Sequence, residues 1–254
     1  MRQLKDMISN SNSLAEGLKE NGKAHQNYKL YLPMERALSF LLTGNLYLSR
    51  GTSWNDTSDR ILADTNNIYS RCFSYSTREN IAMWMLYGGE RGENGAMLNF
   101  YPSVMTDILN ITTISLGTFV NGIFKDCYTL DHNSCNFDIF LSDVIYEDEC
   151  KDDKVKLTLG DEHVTANSSI LDHKDIVHKN IAWRYEQECR LIIRLPQRWE
   201  AKAREEGLHD IKILLPAASY RKMANNRLTR SPIYCGRVEN GLPSSLTGKV
   251  NWKL

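Results

Sequence analysis

Short apolar runs broken by turn-forming residues set the first outline of the chain. Residues 28–32 (Tyr-Lys-Leu-Tyr-Leu) predict a strand ended by Pro33, and residues 46–49 predict a second that runs into a Gly-Thr-Ser-Trp-Asn-Asp turn. Between them Leu38, Leu41 and Leu42 fall at helical spacing over 35–42, with Gly44 as the stop. Residues 71–75 and 95–100 predict further strands, and 80–87 a helix that ends at Gly88-Gly89. A brief helix is expected at 103–110, weak strands between 111 and 146, and a strong strand over 185–195. Beyond it come a helix at 198–206, a strand at 211–215, a helix at 217–223 and a closing strand at 231–238. Residues 1–24 read as a polar helical lead-in, 58–69 as a short helix or loop, and 147–165 as an acidic, Lys-rich exposed loop. Strands mixed with short helices predict α+β rather than regular βαβ alternation.

Length and composition narrow the class. With 254 residues and neither repeats nor a low-complexity linker, the expectation is one domain with a substantial core. Thirty-one Lys+Arg balance 31 Asp+Glu, which disfavours a nucleic-acid binder driven by bulk charge but leaves room for a local basic rim. The first 25 residues mix Lys, Glu and Asp with no long apolar run, and no stretch approaches the roughly 18 apolar residues of a span. The expected setting is therefore cytoplasmic, without membrane partners. Six scattered cysteines contain no Cys-x-x-Cys, and six histidines show no ligand spacing, so free thiols and no metal are expected. There is no Gly-x-Gly-x-x-Gly, no phosphate-binding P-loop and no Gly-x-Ser-x-Gly, which disfavours Rossmann dehydrogenases, NTPases and α/β-hydrolases.

Chemistry concentrates in residues 183–195. On a strand, Glu186, Glu188, Arg190, Ile192 and Arg194 share one face, and Tyr185, Gln187, Cys189, Leu191 and Ile193 the other. Two carboxylates beside a guanidinium fit either the solvated face of an edge strand or a Glu-x-Glu pair in a cleft. In a cleft, such a pair stabilises positive charge on a sugar ring. Residues 44–56 place Tyr47 and Ser49 before a turn with Ser53, Trp54, Asn55 and Asp56, a setting that can stack a flat ring and bond its amide, or simply make a tight turn. Cys72-Phe73-Ser74 and the helical pair Trp84/Tyr87 form a third group, with core packing as the plain alternative. Tyr28-Lys29-x-Tyr31 is a fourth group, in which the lysine and the tyrosines are expected to separate so that only one set faces a cleft.

In order, these pieces resemble the bacterial family known as domain of unknown function 2971. The carriers are Tyr28-Lys29-Leu30-Tyr31; Leu41-x-x-Gly44-x-Leu46-Tyr47-Leu48-Ser49 with Trp54-Asn55-Asp56; and Cys72-Phe73-Ser74. Then follow Met83-Trp84-x-x-Tyr87-Gly88, Gly95-Ala96-x-Leu98-x-Phe100 and Lys179-x-x-x-Trp183-x-Tyr185-Glu186-x-Glu188-x-Arg190, so the resemblance spans roughly 28–195. Residues 196–254 are then a C-terminal extension of one catalytic domain.

The layout is similar to that of ADP-ribosyltransferases, which implies a split β-sheet core with short flanking helices and NAD as substrate, with no metal. By this resemblance Glu188, Tyr47 and Tyr31 are catalytic: Tyr47 stacks on nicotinamide and Glu188 stabilises the oxocarbenium ion. Lys29, Ser49, Ser53, Asn55, Ser74, Trp84, Tyr87 and Arg190 would line the NAD site, and Glu186 would guide the acceptor. The first-strand histidine of one branch is unmatched, Tyr31 or Lys29 standing there instead, and the first-strand arginine and Ser-Thr-Ser of the other branch are missing. The implied role is a toxin or defence effector that modifies protein, RNA or DNA and is restrained by an antitoxin. An NAD glycohydrolase and a non-catalytic binding module are the alternatives.

Overall fold

A computed structural model describes residues 25–50, 68–89, 94–147, 178–217, 219 and 228–230. It is an α+β structure built on a mostly antiparallel open sheet. Strands β1 (Tyr28–Pro33), β2 (Asn45–Arg50), β3 (Ile68–Ser74), β4 (Gly95–Phe100), β5 (Thr113–Val120) and β6 (Ile123–Asp131) come first. They are followed by β7 (Asp138–Asp143), β8 (Ile145–Glu147), β9 (His178–Asn180), β10 (Glu188–Arg194), β11 (Asp210–Leu214) and β12 (Leu228–Arg230). The helices are α1 (Met34–Thr43), α2 (Ile81–Tyr87), α3 (Pro102–Leu109), α4 (His132–Cys135) and α5 (Gln197–Glu205), with a 3-10 helix at Ile181–Glu186.

The main sheet runs β12-β4-β1-β3-β2-β11-β5-β6, and β10 joins β3 to β7 as a branch. β3 is the junction. β10 pairs along its whole length, from Glu188 opposite Ser74 to Arg194 opposite Ile68. The other side of β3 is shared: β1 meets it at Ser74, and β2 at Ser70 and Tyr69. The sheet therefore forks between β1 and β2. A separate parallel pair, β8 and β9, sets Tyr146 opposite Lys179.

Alternation along the strands sends Tyr28, Leu30 and Leu32, Leu46 and Leu48, Tyr69 and Phe73, Leu98 and Phe100, and Cys189, Leu191 and Ile193 into the main core. There they meet Ala37 and Phe40 of α1, Val104, Met105, Ile108 and Leu109 of α3, and Ala203 of α5. In α3 the buried residues recur at three- and four-residue spacing, so one stripe faces the sheet. Fully burying one such aliphatic or Phe side chain contributes roughly 1.5–3 kcal/mol.

Directly opposed residues share a face. Lys29 opposite Ser74, Glu188 opposite Ser74, Arg190 opposite Cys72 and Ser49 opposite Ser70 therefore fix a second face. That face carries Lys29, Tyr31, Tyr47, Ser49, Ser74, Glu188 and Arg190. α2 lies on it, with Met83, Trp84 and Tyr87 packed on Tyr31 and Met97. Asn80 caps α2, its side chain accepting from the Ala82 N–H, and also donates to the Tyr185 carbonyl at 2.6 Å.

The end of α2 depends on a close glycine contact. A Cβ on Gly95 would lie 2.7 Å from the Gly88 carbonyl oxygen and 2.8 Å from its Cα. Both neighbours are backbone, so neither can swing aside. Gly95→Ala is expected to cost about 1–3 kcal/mol through overpacking, read as a lowered urea midpoint; an unchanged midpoint would refute the contact.

Several predicted elements fall as expected: β1, β2, α1, α2, β4, α3 and α5 match within a few residues. Two do not. Ile68 and Tyr69 belong to β3 rather than to a helix or loop, because their side chains fill the core. The strand expected from 185 begins only at Glu188, since residues 181–186 turn as a 3-10 helix capped by Asn180. The lead-in at 1–24, residues 58–67, most of the 147–165 loop and the strand at 231–238 lie outside the described residues, as does most of the helix at 217–223. Among the described residues no helix is long and apolar enough to cross a membrane.

Candidate functional site

Glu186 and Glu188 reach the same place by different routes. Gln187 between them adopts a left-handed conformation, φ 44, where a non-glycine residue carries strain of about 1–2 kcal/mol. Its N–H bonds to the Arg184 carbonyl at 3.3 Å and its carbonyl accepts from the Tyr75 N–H at 2.8 Å. The kink ends the 3-10 helix and starts β10, leaving both carboxylates buried, at 1% and 4% exposure. This corrects the edge-strand alternative: β10 lies between β3 and β7, and its charged face is covered.

Lys179 lies between the two acids. Its Nζ donates to Glu186 Oε2 at 2.6 Å and to Glu188 Oε2 at 3.2 Å. Arg190 Nε donates to Glu188 Oε1 at 2.7 Å, with Nη2 3.4 Å from Oε2. The Tyr87 hydroxyl donates to Glu186 Oε1 at 2.8 Å. Tyr146 accepts from the Glu188 backbone N–H at 2.9 Å, and the Cys72 thiol helps hold the Glu188 carboxyl down. Ser74 donates to the Glu186 carbonyl at 2.7 Å.

Burial and neighbouring charge drive the two carboxylates apart. Burial works against the charge of Glu188, but Arg190 and then Lys179 outweigh it and bring the carboxyl down to about 2. Burial dominates for Glu186 and pushes its carboxyl up, against the pull of Lys179. Lys179 is raised, because Glu188 and Glu186 together overcome its burial. Burial, then Glu186, hold the Tyr87 phenol far above its ordinary value, so it stays a neutral donor.

Linkage gives these shifts opposite signs in stability. Glu188 is lowered, so its contribution is present above the ordinary value of 4.5 and is lost as pH falls toward about 2. Glu186 is raised, so its contribution is present when protonated and is lost as pH rises through its folded midpoint. Urea unfolding between roughly pH 5 and pH 2 is therefore expected to show an acid loss of stability that persists in Glu186→Gln and flattens in Glu188→Gln. A loss of equal slope in Glu188→Gln would exclude Glu188 as its source.

The other predicted residues sit as follows. The Tyr31 ring packs edge-on to Trp84 at 5.0 Å. The indole N–H of fully buried Trp84 has no hydrogen-bond partner among the described residues. Lys29 is buried, and its Nζ donates to the Arg78 carbonyl at 3.0 Å. Tyr47 shares the sheet face, but its ring packs against Phe119 at 4.9 Å and Phe124 at 5.2 Å on the β5–β6 hairpin. The tyrosine whose hydroxyl bonds the Glu186 carboxylate is Tyr87. Ser53 and Asn55 lie outside the described residues. Lys179, Tyr146 and Cys72 were not among the predicted site residues. The Lys179-x-x-x-Trp183 spacing was the available signal for Lys179, and Lys179 Nζ indeed lies over the Trp183 ring at 4.5 Å. Among the described residues no group of three or more His, Cys, Asp or Glu is arranged to hold a metal ion.

The matched segment covers most of this cluster. Residues 83–191 match the family model DUF2971, a protein of unknown function. The match to DUF2971 runs from Met83 in α2 to Leu191 in β10, and so takes in Trp84, Tyr87, Lys179, Glu186, Glu188 and Arg190. Lys29, Tyr31, Tyr47 and Ser49, which the resemblance drew in from residue 28 onward, precede it. No curated protein and no solved structure gives a match.

Proposed function

We propose that this chain is an ADP-ribosyltransferase-like enzyme, a toxin or defence effector, which breaks the N-glycosidic bond of NAD and passes ADP-ribose to a macromolecular acceptor. One observation carries the reading: a buried, ionised Glu188 held by Arg190 and Lys179, next to a second carboxylate, Glu186, whose environment favours a proton. Pairs of acids pushed apart in this way divide acid–base and electrostatic work between them.

In the proposed reaction the bond from the nicotinamide nitrogen to the ribose carbon breaks, and its electron pair leaves with nicotinamide. Positive charge then spreads over the ribose ring. Glu188 stabilises it without having to reorient, since cationic donors already fix both of its oxygens. Glu186, in its ionised form, accepts the proton of the attacking hydroxyl or amine of the acceptor. Tyr87, backed by Tyr31 and Trp84, is the aromatic surface next to the carboxylates and can take the stacking role that resemblance assigns to Tyr47. The Trp84 N–H, which has no partner among the described residues, is a donor for a ligand carbonyl or hydroxyl. The forked antiparallel sheet supports the family resemblance in layout.

The test incubates purified protein with NAD labelled in its adenosine half and a cell lysate. Label on protein or nucleic acid supports transfer and names the acceptor class. Free ADP-ribose with no labelled macromolecule would make water the acceptor. A folded protein with no NAD turnover on any acceptor class would overturn the reading in favour of a binding module. An antitoxin is expected from the role proposed, and co-purification with a neutralising partner would be its sign.

A further inference from the structure

We propose that Lys179 is the positioning residue of this site, the group that ties Glu186 to Glu188 and leaves Glu186 able to exchange its partner for an incoming hydroxyl. The exchange rests on the transferase reading above; the positioning does not.

The asymmetry of the contacts carries the inference. Glu188 has two cationic partners, Arg190 on Oε1 and Lys179 on Oε2. Glu186 has Lys179 on Oε2, while its Oε1 takes the neutral Tyr87 hydroxyl. The groups that face Glu186 come from several elements: Lys179 from β9, Tyr87 from α2, Tyr146 from β8, Glu188 from β10 and Tyr185 from its own 3-10 helix. The nearby cation Arg190 is engaged with Glu188, so Lys179 supplies the positive charge that counters the burial of Glu186.

Lys179 is also delivered separately from the main sheet. It stands on β9, opposite Tyr146 of β8, and Tyr146 is the residue whose hydroxyl accepts from the Glu188 N–H. The β8–β9 pair thus fixes the start of β10 and the ammonium with one piece of structure. The Trp183 face at 4.5 Å restrains the ammonium further without removing a proton donor from it. A 2.6 Å contact to one acid and 3.2 Å to the other places the charge nearer Glu186. That acid has the most to lose without it, because its own burial and the charge of Glu188 both push its carboxyl up.

The experiment is a carboxylate ¹³C NMR titration of the full-length protein, with the Glu186 and Glu188 signals identified by Glu186→Gln and Glu188→Gln. In Lys179→Met the Glu186 midpoint is expected to rise by about 1 unit or more, the usual effect of losing an opposite charge at contact distance. Lys179→Arg keeps the charge and is expected to restore most of that shift. An unmoved Glu186 midpoint in folded Lys179→Met would overturn the proposal. If Lys179→Met does not fold, the reciprocal measurement serves: in Glu186→Gln the Lys179 ammonium midpoint must fall, and a constant value would sink the assignment. These readouts need no substrate, so they stand apart from the NAD reading. Where NAD turnover is present, the acidic limb of kcat/KM in Lys179→Met is expected to move alkaline with the Glu186 midpoint. A residue with only a structural role would lower stability and leave both in place.

Discussion

Glu188→Gln is expected to lower NAD turnover by about 10²–10³-fold, the usual loss when one preorganised electrostatic group is removed from a reacting centre. The amide keeps the shape of the carboxylate and a carbonyl oxygen for Arg190 Nε, now 2.7 Å from Glu188 Oε1. It removes the negative charge that faces the developing oxocarbenium ion. The loss should fall on kcat and kcat/KM alike, because the charge matters only once the glycosidic bond begins to break. Stability should also fall, by about 1–3 kcal/mol, as two buried cations lose part of their compensation. Activity is therefore compared at a temperature where both proteins give the same circular dichroism spectrum. Equal turnover in the folded variant would remove Glu188 from the mechanism. The same substitution separates chemistry from binding: an enzyme that still binds NAD but no longer cleaves it matches the proposed role.

Arg190→Met is expected to be the most damaging single change to the fold. Arg190 is 1% exposed, and its guanidinium is the leading attraction that holds the Glu188 carboxyl down near 2. Truncating one member of a buried ion pair costs about 3–5 kcal/mol, since the other is left charged away from water. Set against a typical domain stability of about 5–15 kcal/mol, that is roughly a fifth or more of the total. Glu188 then has Lys179 alone among its two cations, so its carboxyl rises and the acid-sensitive window moves up in pH. Urea denaturation checks this directly, and a midpoint within error of the unaltered protein would refute it. The double variant Arg190→Met with Glu188→Gln should be less destabilised than the sum of the two, because it removes both charges together.

Much of this architecture was readable along the chain. Pro33, Gly44 and Gly88-Gly89 punctuate the pattern where β1, α1 and α2 end. Local rules govern such positions: a fixed φ, a left-handed cap, an N–H that cannot be supplied. The grouping of Glu186, Glu188 and Arg190 in one stretch was readable too, though the alternation expected for a single strand does not describe how they meet. Gln187 breaks the strand, a non-glycine residue held at positive φ by contacts with Arg184 and Tyr75. Nothing at positions 185–189 announces that break, because tertiary contacts impose it against local preference.

Lys179 and Tyr146 were harder still. They are neighbours only through the parallel pairing of β8 and β9, and three-residue strands leave almost no period to read. Tyr47 shows the limit from the other side. Its spacing and face fit, yet Phe119 and Phe124, about 75 residues away in sequence, are the rings it packs on.

The sequence by itself determined the α+β class, the ends of the early elements, and which residue types carry charge near position 188. Side-chain period and turn chemistry are local, so one chain segment suffices to express them. Only the tertiary structure decided that β10 is an interior strand, that seven predicted residues from four strands share one sheet face, and that a single lysine joins the two acids. Those outcomes depend on strand order and register, and a one-residue shift of register would have sent the same strand side chains to the opposite face.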